Sequence, residues 1–206
     1  MIKATSVLPV GYSSIAPGHI ANVVTSLEML ERPASRRAKA LPPGVSLSSL
    51  DRSDPAIYRA LFRRIGETWL WSSRLIISEE ALRTILEDPR VDILVLRKDE
   101  NDIGLLELDF RQDSVCELAF FGLVAAATGQ GLGRALMDAA LDRAWSRPIT
   151  RFWVHTCTLD HPAALGFYIR SGFKPYAFHV EVLPDPRLTG HLPYDAAPQV
   201  PLIARS

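Results

Sequence analysis

The sequence has few cysteines, no net charge and no long apolar run, and each of these absences excludes a class of protein. Its two cysteines, Cys116 and Cys157, fall in predicted strands and are too few for a disulfide scaffold or a structural zinc site. The 23 basic residues balance 23 acidic ones, so no large electrostatic field attracts nucleic acid or an anionic membrane. We therefore expect no metal, no nucleic acid and no membrane among its partners.

We expect neither a signal peptide nor a membrane span in this sequence. No stretch reaches the roughly 18 apolar residues of a membrane-spanning helix. The first residues make a poor signal peptide, because Pro9, Gly11 and Pro17 interrupt any apolar run. A cytoplasmic location is the default expectation. With 206 residues, of which 48% are hydrophobic, the chain can bury the core of a single domain.

The most informative stretch runs from Val115 to Trp145 and reads as a strand, a turn and a helix. Apolar residues on both faces predict a buried strand, in which Glu117 is the only charge and shares a face with Phe121 and Leu123. From Leu132 the apolar residues recur at helical spacing instead. The change of period places the turn between these two elements.

Three glycines occupy that turn: Gly129, Gly131 and Gly133. The first N–H groups of a helix have no internal partner, and the helix dipole adds roughly half a positive charge there. Glycine lets an anion approach this bare backbone closely. The turn is therefore predicted to be an anion cradle, most simply for a pyrophosphate.

The glycines alone do not say which nucleotide is bound. A Walker loop is excluded because no Gly-Lys-Ser/Thr follows the glycines. A Rossmann fingerprint is the weaker alternative, because it would need a βαβ unit with an acidic residue ending the next strand. The segment Thr128 to Gly133 looks instead like the motif Gln/Arg-x-x-Gly-x-Gly/Ala, and His161 to Phe173 looks like N-x-x-A-x-x-x-Y-x-x-x-G-F. With both motifs in this order, the chain resembles the GNAT N-acetyltransferase superfamily. The residues that match the second motif are Ala164, Tyr168, Gly172 and Phe173.

The match has two departures. Thr128 stands where Arg or Gln is usual, and His161 stands where Asn is usual. Because a cradle of this kind binds mainly through backbone N–H groups, Thr128 weakens the prediction little. Arg134, in the first turn of the helix, could supply the missing cation.

The resemblance implies acetyl-CoA as cosubstrate and no metal. It implies that the N–H of Leu123 stabilises the charge developing on the thioester carbonyl and that Ala125 holds the pantetheine arm. The residues so assigned to coenzyme binding are Leu123, Val124, Ala125, Thr128, Gly129, Gln130, Gly131, Leu132, Gly133, Arg134 and His161.

The fold implied is an α+β (mixed α/β) one, with a mostly antiparallel central sheet, a parallel splayed strand pair and flanking helices. The splay is expected between residues 121–123 and 154–156. The acetyltransferase domain would occupy residues 45–183, after an N-terminal extension at 1–44 that packs on it, and before a proline-rich tail at 184–206.

Local patterns place the early helices. Asp54 before a proline, and Ser78 before two glutamates, are typical helix N-caps. The first helix is predicted to bury Ile57, Leu61 and Ile65. Further strands are predicted at His19–Leu30, Val45–Leu50, Val91–Arg97, Gly104–Arg111, Phe152–Thr158 and Pro175–Val182, and a bulge is expected at Gly122.

Two residues are predicted to be catalytic. Tyr168, by resemblance the usual general acid of the family, keeps its proton at neutral pH and can donate it to the departing thiolate. Glu117 is the candidate base for the acceptor ammonium, although a carboxylate that faces solvent or pairs with an arginine is an equal interpretation. Glu107 and Asp109 are the reserve bases.

A histidine and a cysteine complete the list of candidates. His155 is a third possible base, but a lone strand histidine is more often a satisfied core group. An acyl-cysteine route through Cys157 is ranked low, because residues spaced by two lie well apart along a strand.

The acceptor pocket is predicted from Trp69, Trp71 and Arg74, which lie between the two early helices. Two indoles could hold a cation or an apolar group, and Arg74 could clamp a carboxylate, whereas plain core packing is the alternative for at least one tryptophan. The expected partners are acetyl-CoA and an amine of a small molecule or peptide, and a homodimer is left open. The alternative function is an acyl-CoA-binding domain without turnover.

Overall fold

The computed structural model describes residues 7–33, 41–51 and 54–204. These residues contain seven strands, five α-helices and two short 3-10 helices, at Glu67–Trp69 and Ala125–Ala127. The strands are β1 His19–Met29, β2 Val45–Ser49, β3 Val91–Lys98, β4 Asn101–Asp109, β5 Val115–Leu123, β6 Arg151–Cys157 and β7 Lys174–Pro184. The α-helices are α1 Pro55–Gly66, α2 Ser73–Ile76, α3 Glu79–Glu87, α4 Leu132–Ala144 and α5 Ala164–Ser171.

The strands form one sheet in the order β2-β3-β4-β5-β6-β1-β7. All neighbours are antiparallel except β5 and β6, which run parallel. The parallel pairing joins only residues 115–117 to residues 151–153, and beyond it the two strands separate. The structure confirms the predicted α+β fold, and the gap between β5 and β6 opens where the sequence analysis expected the splay.

Strand β1 is an interior strand. It pairs with β6 from Val24 to Met29 and with β7 from His19 to Glu28, so it separates two strands that lie much later in the chain. The predicted N-terminal extension therefore contributes an integral strand of the sheet. Residues 1–6 and 34–40 of this extension lie outside the described residues.

The two faces of the sheet carry different helices. One face, here called the α4 face, packs against α4 and α5 around residues such as Leu106, Phe152 and Phe173. The other, the α1 face, packs against α1 and α3 around residues such as Phe62 and Leu105. A site in the gap between β5 and β6 can therefore be reached from two chemically different sides.

The predicted caps are confirmed, but one helix face was predicted wrongly. The Asp54 carboxylate accepts the N–H of Ala56 at 2.8 Å, and the Ser78 hydroxyl accepts the N–H of Ala81 at 3.1 Å. Ile57 is 41% exposed rather than buried, because α1 turns Tyr58 and Phe62 to the sheet together with Leu61 and Ile65. Aromatic packing against the sheet determined this rotation of the helix.

A bulge in β5 overturns the predicted faces of that strand. Glu107 pairs with Phe120, but Leu108 pairs with Leu118, so Ala119 has no partner on β4. The extra residue puts Glu117 and Phe120 on the α1 face, while Phe121 and Leu123 contribute to the core of the α4 face. The prediction that Glu117 shares a face with Phe121 is therefore wrong.

Gly122 is not the bulge residue that the sequence suggested. A Cβ added there would lie 2.4 Å from Cγ2 of Ile65 and 3.1 Å from Cη2 of Trp71. Glycine is thus required at this position because Ile65 of α1 packs directly against the backbone of the strand, with the indole of Trp71 close beside it.

No regular element follows β7 in the described part of the chain. Residues 185–204 are irregular, yet Leu192, Ala196 and Ala197 are buried against Ile20 and Leu70. No described helix has the length and apolar character needed to cross a membrane.

Candidate functional site

The turn before α4, residues 129–133, has the backbone of an anion cradle. Gly129 and Gly131 have positive φ angles of 75° and 76°, which L side chains rarely adopt. Within the described residues, the N–H groups of residues 129–133 have no protein acceptor. They stand at the positive end of α4, so they can donate together to a phosphate.

Gly133 has no internal reason to be glycine. Its φ lies outside the left-handed region, and a Cβ there would meet only Leu123 at 3.9 Å and Phe167 at 4.0 Å, which is ordinary contact. A space beside free N–H groups that no protein atom fills fits a ligand that approaches the backbone. The residues present therefore fit the pyrophosphate of a coenzyme.

Two polar side chains beside this cradle hold its backbone in place. The Thr128 hydroxyl donates to the Ala125 carbonyl at 2.7 Å, and the Gln130 amide donates to the Ala126 carbonyl at 2.7 Å. Leu132 is buried in the core, and Arg134 pairs with Asp138 at 3.1 Å along the helix. Arg134 is 43% exposed, so its charge remains near the cradle.

The end of β5 offers donors to the gap. The Val124 N–H donates to the Ile103 carbonyl of β4 at 2.9 Å. Since successive N–H groups of a strand point to opposite sides, the N–H of Leu123 points away from β4 and into the gap. The short 3-10 helix that starts at Ala125 then leads the chain to the cradle.

Glu117 lies where β5 and β6 begin to separate, on the α1 face. Desolvation and the neighbouring carboxylate of Asp109 raise the pKa of Glu117 to about 7. Its Oε1 lies 4.0 Å from Nε2 of His155 on β6, and partial burial lowers the pKa of that imidazole. At neutral pH the pair is therefore a partly ionised carboxylate beside a neutral histidine.

The reserve bases are bound to arginines. Glu107 is fully buried, and its carboxylate accepts the Tyr58 hydroxyl and an Arg74 guanidinium N–H, each at 2.5 Å. Asp109 holds Arg111 in a two-point contact with a shortest distance of 2.6 Å. Arg74, predicted to clamp a substrate carboxylate, thus has its charge paired inside the protein.

Trp71 spans the gap on the α1 face. Its ring lies over Gly122 and 5.5 Å from the ring of Phe120 on β5, while its Nε1 donates to the Asp160 carboxylate at 3.0 Å. Asp160 follows β6 and also accepts the Thr156 hydroxyl at 2.8 Å and the Cys157 N–H at 2.9 Å. We call the opening framed by Glu117, Phe120, Trp71 and His155 the gap mouth.

Asp160 was missed by the sequence analysis. Its partner Trp71 lies 89 residues away in the chain, so no local motif indicated the contact. The nearest signal was its position just after a predicted strand. Trp69 and His161 lie beside it, with ring centroids 5.2 Å apart, and the His161 Nδ1 accepts the N–H of Ala163 at 3.0 Å.

Tyr168 lies on the other side of the gap, in the α4-face core. It is 7% exposed, and its ring packs against Phe121, Phe167 and Phe173 at centroid distances of 5.8 to 6.3 Å. Burial, together with the negative charge of Asp160, raises the pKa of Tyr168. Its hydroxyl has no hydrogen-bond partner among the described residues, and it keeps its proton at any physiological pH.

A cleft of about 290 Å³ opens next to Glu117, lined also by Asp109, Arg111 and Trp153. It provides a solvent path to the carboxylate on the α1 face. Within the described residues, no cluster of three or more histidine, cysteine, aspartate or glutamate side chains is arranged to hold a metal ion.

Comparisons with known proteins give a family and a fold. A family model described as the acetyltransferase (GNAT) family matches residues 56–173, more than half of the chain. No curated protein sequence matches significantly.

Three solved structures illustrate the similarity of fold. A GCN5-related N-acetyltransferase from Kribbella flavida has a TM-score of 0.52 at 19% identity, over 84% of this chain and 63% of that one. A tandem GNAT protein from the clavulanic acid biosynthesis pathway has a TM-score of 0.58 at 17% identity, over 82% of this chain and 54% of that one. An aminoglycoside acetyltransferase from an uncultured soil metagenomic sample has a TM-score of 0.52 at 17% identity, over 63% of this chain and 88% of that one. The chain thus spans less than two thirds of the first two of these proteins.

Proposed function

The chain belongs to the acetyltransferase (GNAT) family, and from that premise we propose that it transfers an acetyl group from acetyl-CoA to a primary amine of a small molecule or peptide. One observation carries the proposal. The gap between β5 and β6 is open beyond Glu117, with free N–H groups of the cradle near one end and a carboxylate of pKa about 7 at its apex. The thioester carbonyl of an acetyl-CoA bound in the gap would therefore lie near Glu117, the candidate base.

The coenzyme would be held mainly by backbone. The N–H groups of residues 129–133 fit the pyrophosphate, with Arg134 adding charge nearby, and the segment from Leu123 to Ala125 borders the gap where the pantetheine arm would run. When bound, acetyl-CoA supplies the activated thioester. We propose His161 as a further contact residue of the coenzyme, on the side of its ring that does not pack on Trp69.

The chain's own residues then have separate tasks. Glu117, in its ionised form, accepts a proton from the acceptor ammonium, directly or through a water molecule. The N–H of Leu123 donates to the oxygen on which negative charge develops. Tyr168 donates a hydrogen bond to the departing sulfur, because a phenol whose pKa burial has raised is too weak an acid to give its proton fully to a thiolate of pKa near 8.5.

The acceptor would approach from the α1 face. Trp71 and Phe120 give the gap mouth an aromatic rim, and Glu117 gives it a negative charge, which together suit an ammonium on an apolar stem. Trp69 stands on the same turn and would line the outer wall. Arg74 is paired with the fully buried Glu107, so we assign it to holding this wall rather than to clamping a carboxylate.

The test is turnover with a panel of amines. The protein is incubated with acetyl-CoA and polyamines, aminoglycosides, aryl-alkylamines or peptides with free amino groups, and release of free thiol is followed. We expect at least one primary amine to be acetylated, with the product identified by mass spectrometry. Matched tertiary amines, which have no transferable N–H, serve as the control, and turnover with none of the primary amines contradicts the proposal.

Binding of an acyl-CoA without turnover is the second candidate. The observation in its favour is the deep packing of Tyr168, whose contacts to three phenylalanines would suit a purely structural role. Calorimetry decides it together with the amine panel. Tight binding of acetyl-CoA combined with no acetylation of any amine would favour this candidate.

A further inference from the structure

The irregular C-terminal segment 185–201, here called the docked segment, is fixed by a buried ion pair. The side chains of Asp185 and Arg187 are each 2% exposed and make a two-point contact at 3.0 and 2.6 Å. The remaining guanidinium hydrogens reach backbone carbonyls further along the segment, so one side chain closes the whole loop. These carbonyls belong to Ala196, Ala197, Val200 and Pro201.

The docked segment packs on the turn that carries Trp69 and Trp71. That turn, residues 66–71, is here called the tryptophan turn. Its Leu70 side chain is 4% exposed and lies in a cluster with Leu192, Ala196 and Ala197. The Gln199 amide donates to the Thr68 carbonyl of the same turn at 2.7 Å.

The tryptophan turn needs such support because its backbone is strained. Leu70 has a φ of 56°, a left-handed conformation that costs free energy in a residue other than glycine. Burial of its side chain against the docked segment can offset that cost. Loss of the segment would expose the Leu70 side chain and remove this support from the residues on either side of it.

Those residues are Trp69 and Trp71. Trp71 donates its backbone N–H to Gly66 at 3.0 Å and its indole N–H to Asp160, so its position depends on the turn at one end and on the chain after β6 at the other. We propose that the docked segment is a structural part of the acceptor site, and that Arg187 is the positioning residue that holds Trp71 at the gap mouth and Trp69 on the wall beside it. This inference rests on the proposed function.

The experiment compares Arg187→Lys and Gln199→Ala with Thr189→Val as the matched control. The lysine keeps the charge but loses the fork, the alanine removes only the hydrogen bond to the turn, and Thr189 bonds only within the docked segment. Three quantities are measured: amide hydrogen exchange at Leu70 and Trp71 without amine, the Kd of acetyl-CoA, and KM and kcat for the best amine of the panel.

We expect Gln199→Ala to speed exchange at Leu70 and Trp71 and to raise KM for the amine about two- to tenfold, as the loss of one hydrogen bond predicts. Arg187→Lys should have the larger effect. The Kd of acetyl-CoA should stay within about twofold, because the cradle lies beyond the gap, and Thr189→Val should change none of the three.

Unchanged exchange at both amides in both variants would overturn the inference, and so would faster exchange with an unchanged KM. Failure of the proposed function looks different, because the unaltered protein would then acetylate no amine. In that case the affinity for each amine of the panel replaces KM, and it is measured by the quenching of tryptophan fluorescence as the amine binds at the gap mouth. An affinity equal in Gln199→Ala, Arg187→Lys and the unaltered protein would then refute the inference.

Discussion

Glu117 differs from the other carboxylates of the α1 face in what surrounds it. Glu107 is bound by Tyr58 and Arg74, and Asp109 is bound by Arg111, so both have cationic or hydrogen-bonding partners at close range. Among the residues that the structure describes, the ion-pair partner of Glu117 is a neutral histidine at 4.0 Å. Desolvation first, and then the negative charge of Asp109, raise the pKa of Glu117 to about 7, in the range that suits a general base.

The first prediction concerns the pH dependence of turnover. Because only ionised Glu117 can accept a proton, kcat/KM should rise with pH along an ionisation near pH 7. Glu117→Gln should flatten this limb and lower the rate about 10²- to 10⁴-fold. The measurement is a pH–rate profile, with Glu100→Gln on the β3–β4 turn as the matched control. A profile that Glu117→Gln leaves unchanged would move the role to His155 or to solvent.

The second prediction concerns stability. The pKa of Glu117 is about 7 in the folded chain and near 4.5 in the unfolded one, so the unfolded state loses this proton first. Stability should therefore fall as pH rises from about 4.5 through about 7, by up to about 3 kcal/mol. Denaturant unfolding of Glu117→Gln should show a smaller loss between pH 5 and pH 8 than the unaltered protein. Equal losses in both proteins would contradict the desolvated environment.

Tyr168 carries the third prediction. Tyr168→Phe should lower kcat about ten- to a thousandfold, because the departing sulfur loses a hydrogen-bond donor, while the Kd of acetyl-CoA stays within about threefold. Thermal unfolding should be unchanged or slightly favourable to the variant, since the hydroxyl has no described partner to lose. Steady-state kinetics and calorimetry check both, with the exposed Tyr12→Phe as control. Full turnover in Tyr168→Phe would leave the residue a packing role only.

At the scale of elements, the turn before α4 separates two uses of glycine. Gly129 and Gly131 are required by their positive φ angles, whatever is bound. Gly133 is required neither by conformation nor by internal packing. A substitution at Gly133 therefore tests the cradle without distorting the turn, which substitutions at the other two cannot do.

The fourth prediction uses this difference. Gly133→Asp should weaken acetyl-CoA binding at least tenfold, since the side chain places a negative charge where the phosphates would lie. Gly133→Ala adds bulk without charge and should weaken binding less. Thermal stability of both variants should be close to that of the unaltered protein, or higher for alanine. Calorimetry that finds the same Kd in Gly133→Asp would remove this turn from the coenzyme site.

At the scale of the whole molecule, the sheet depends on its first strand. Strand β7 has β1 as its only described neighbour, and β6 otherwise has three residue pairs with β5. Strand β6 forms one wall of the gap. The N-terminal strand thus supports the site although it contributes no residue to the gap mouth.

The fifth prediction follows from this topology. A chain shortened to residues 45–206 should fail to unfold cooperatively and should not bind acetyl-CoA, because β6 and β7 lose the strand between them. A chain beginning at residue 18 should keep both properties, since residues such as Val10 and Tyr12 are fully exposed. Thermal melts and calorimetry on the two chains compare them. Cooperative melting of the 45–206 chain would establish that residues 1–44 are only an extension.

The sequence by itself determined the features that depend on residues close together in the chain. The change of period at Leu132, the glycines before it and the caps at Asp54 and Ser78 each depend on contacts within one or two turns, so composition and spacing suffice to predict them. The family resemblance then supplied the gap between β5 and β6. The order of helices and strands along the chain and the parallel strand pair could therefore be predicted from the sequence together with this resemblance.

Tertiary structure alone decided which side chains meet at the gap mouth. The bulge at Ala119 moved Glu117 to the α1 face, a change of one residue in register that no periodicity reveals. Trp71 reaches Asp160 across 89 residues, and Arg74 reaches Glu107 across 33. Such contacts depend on how helices and strands pack together, and that packing is set by the summed burial of the whole core rather than by any local stretch of the chain.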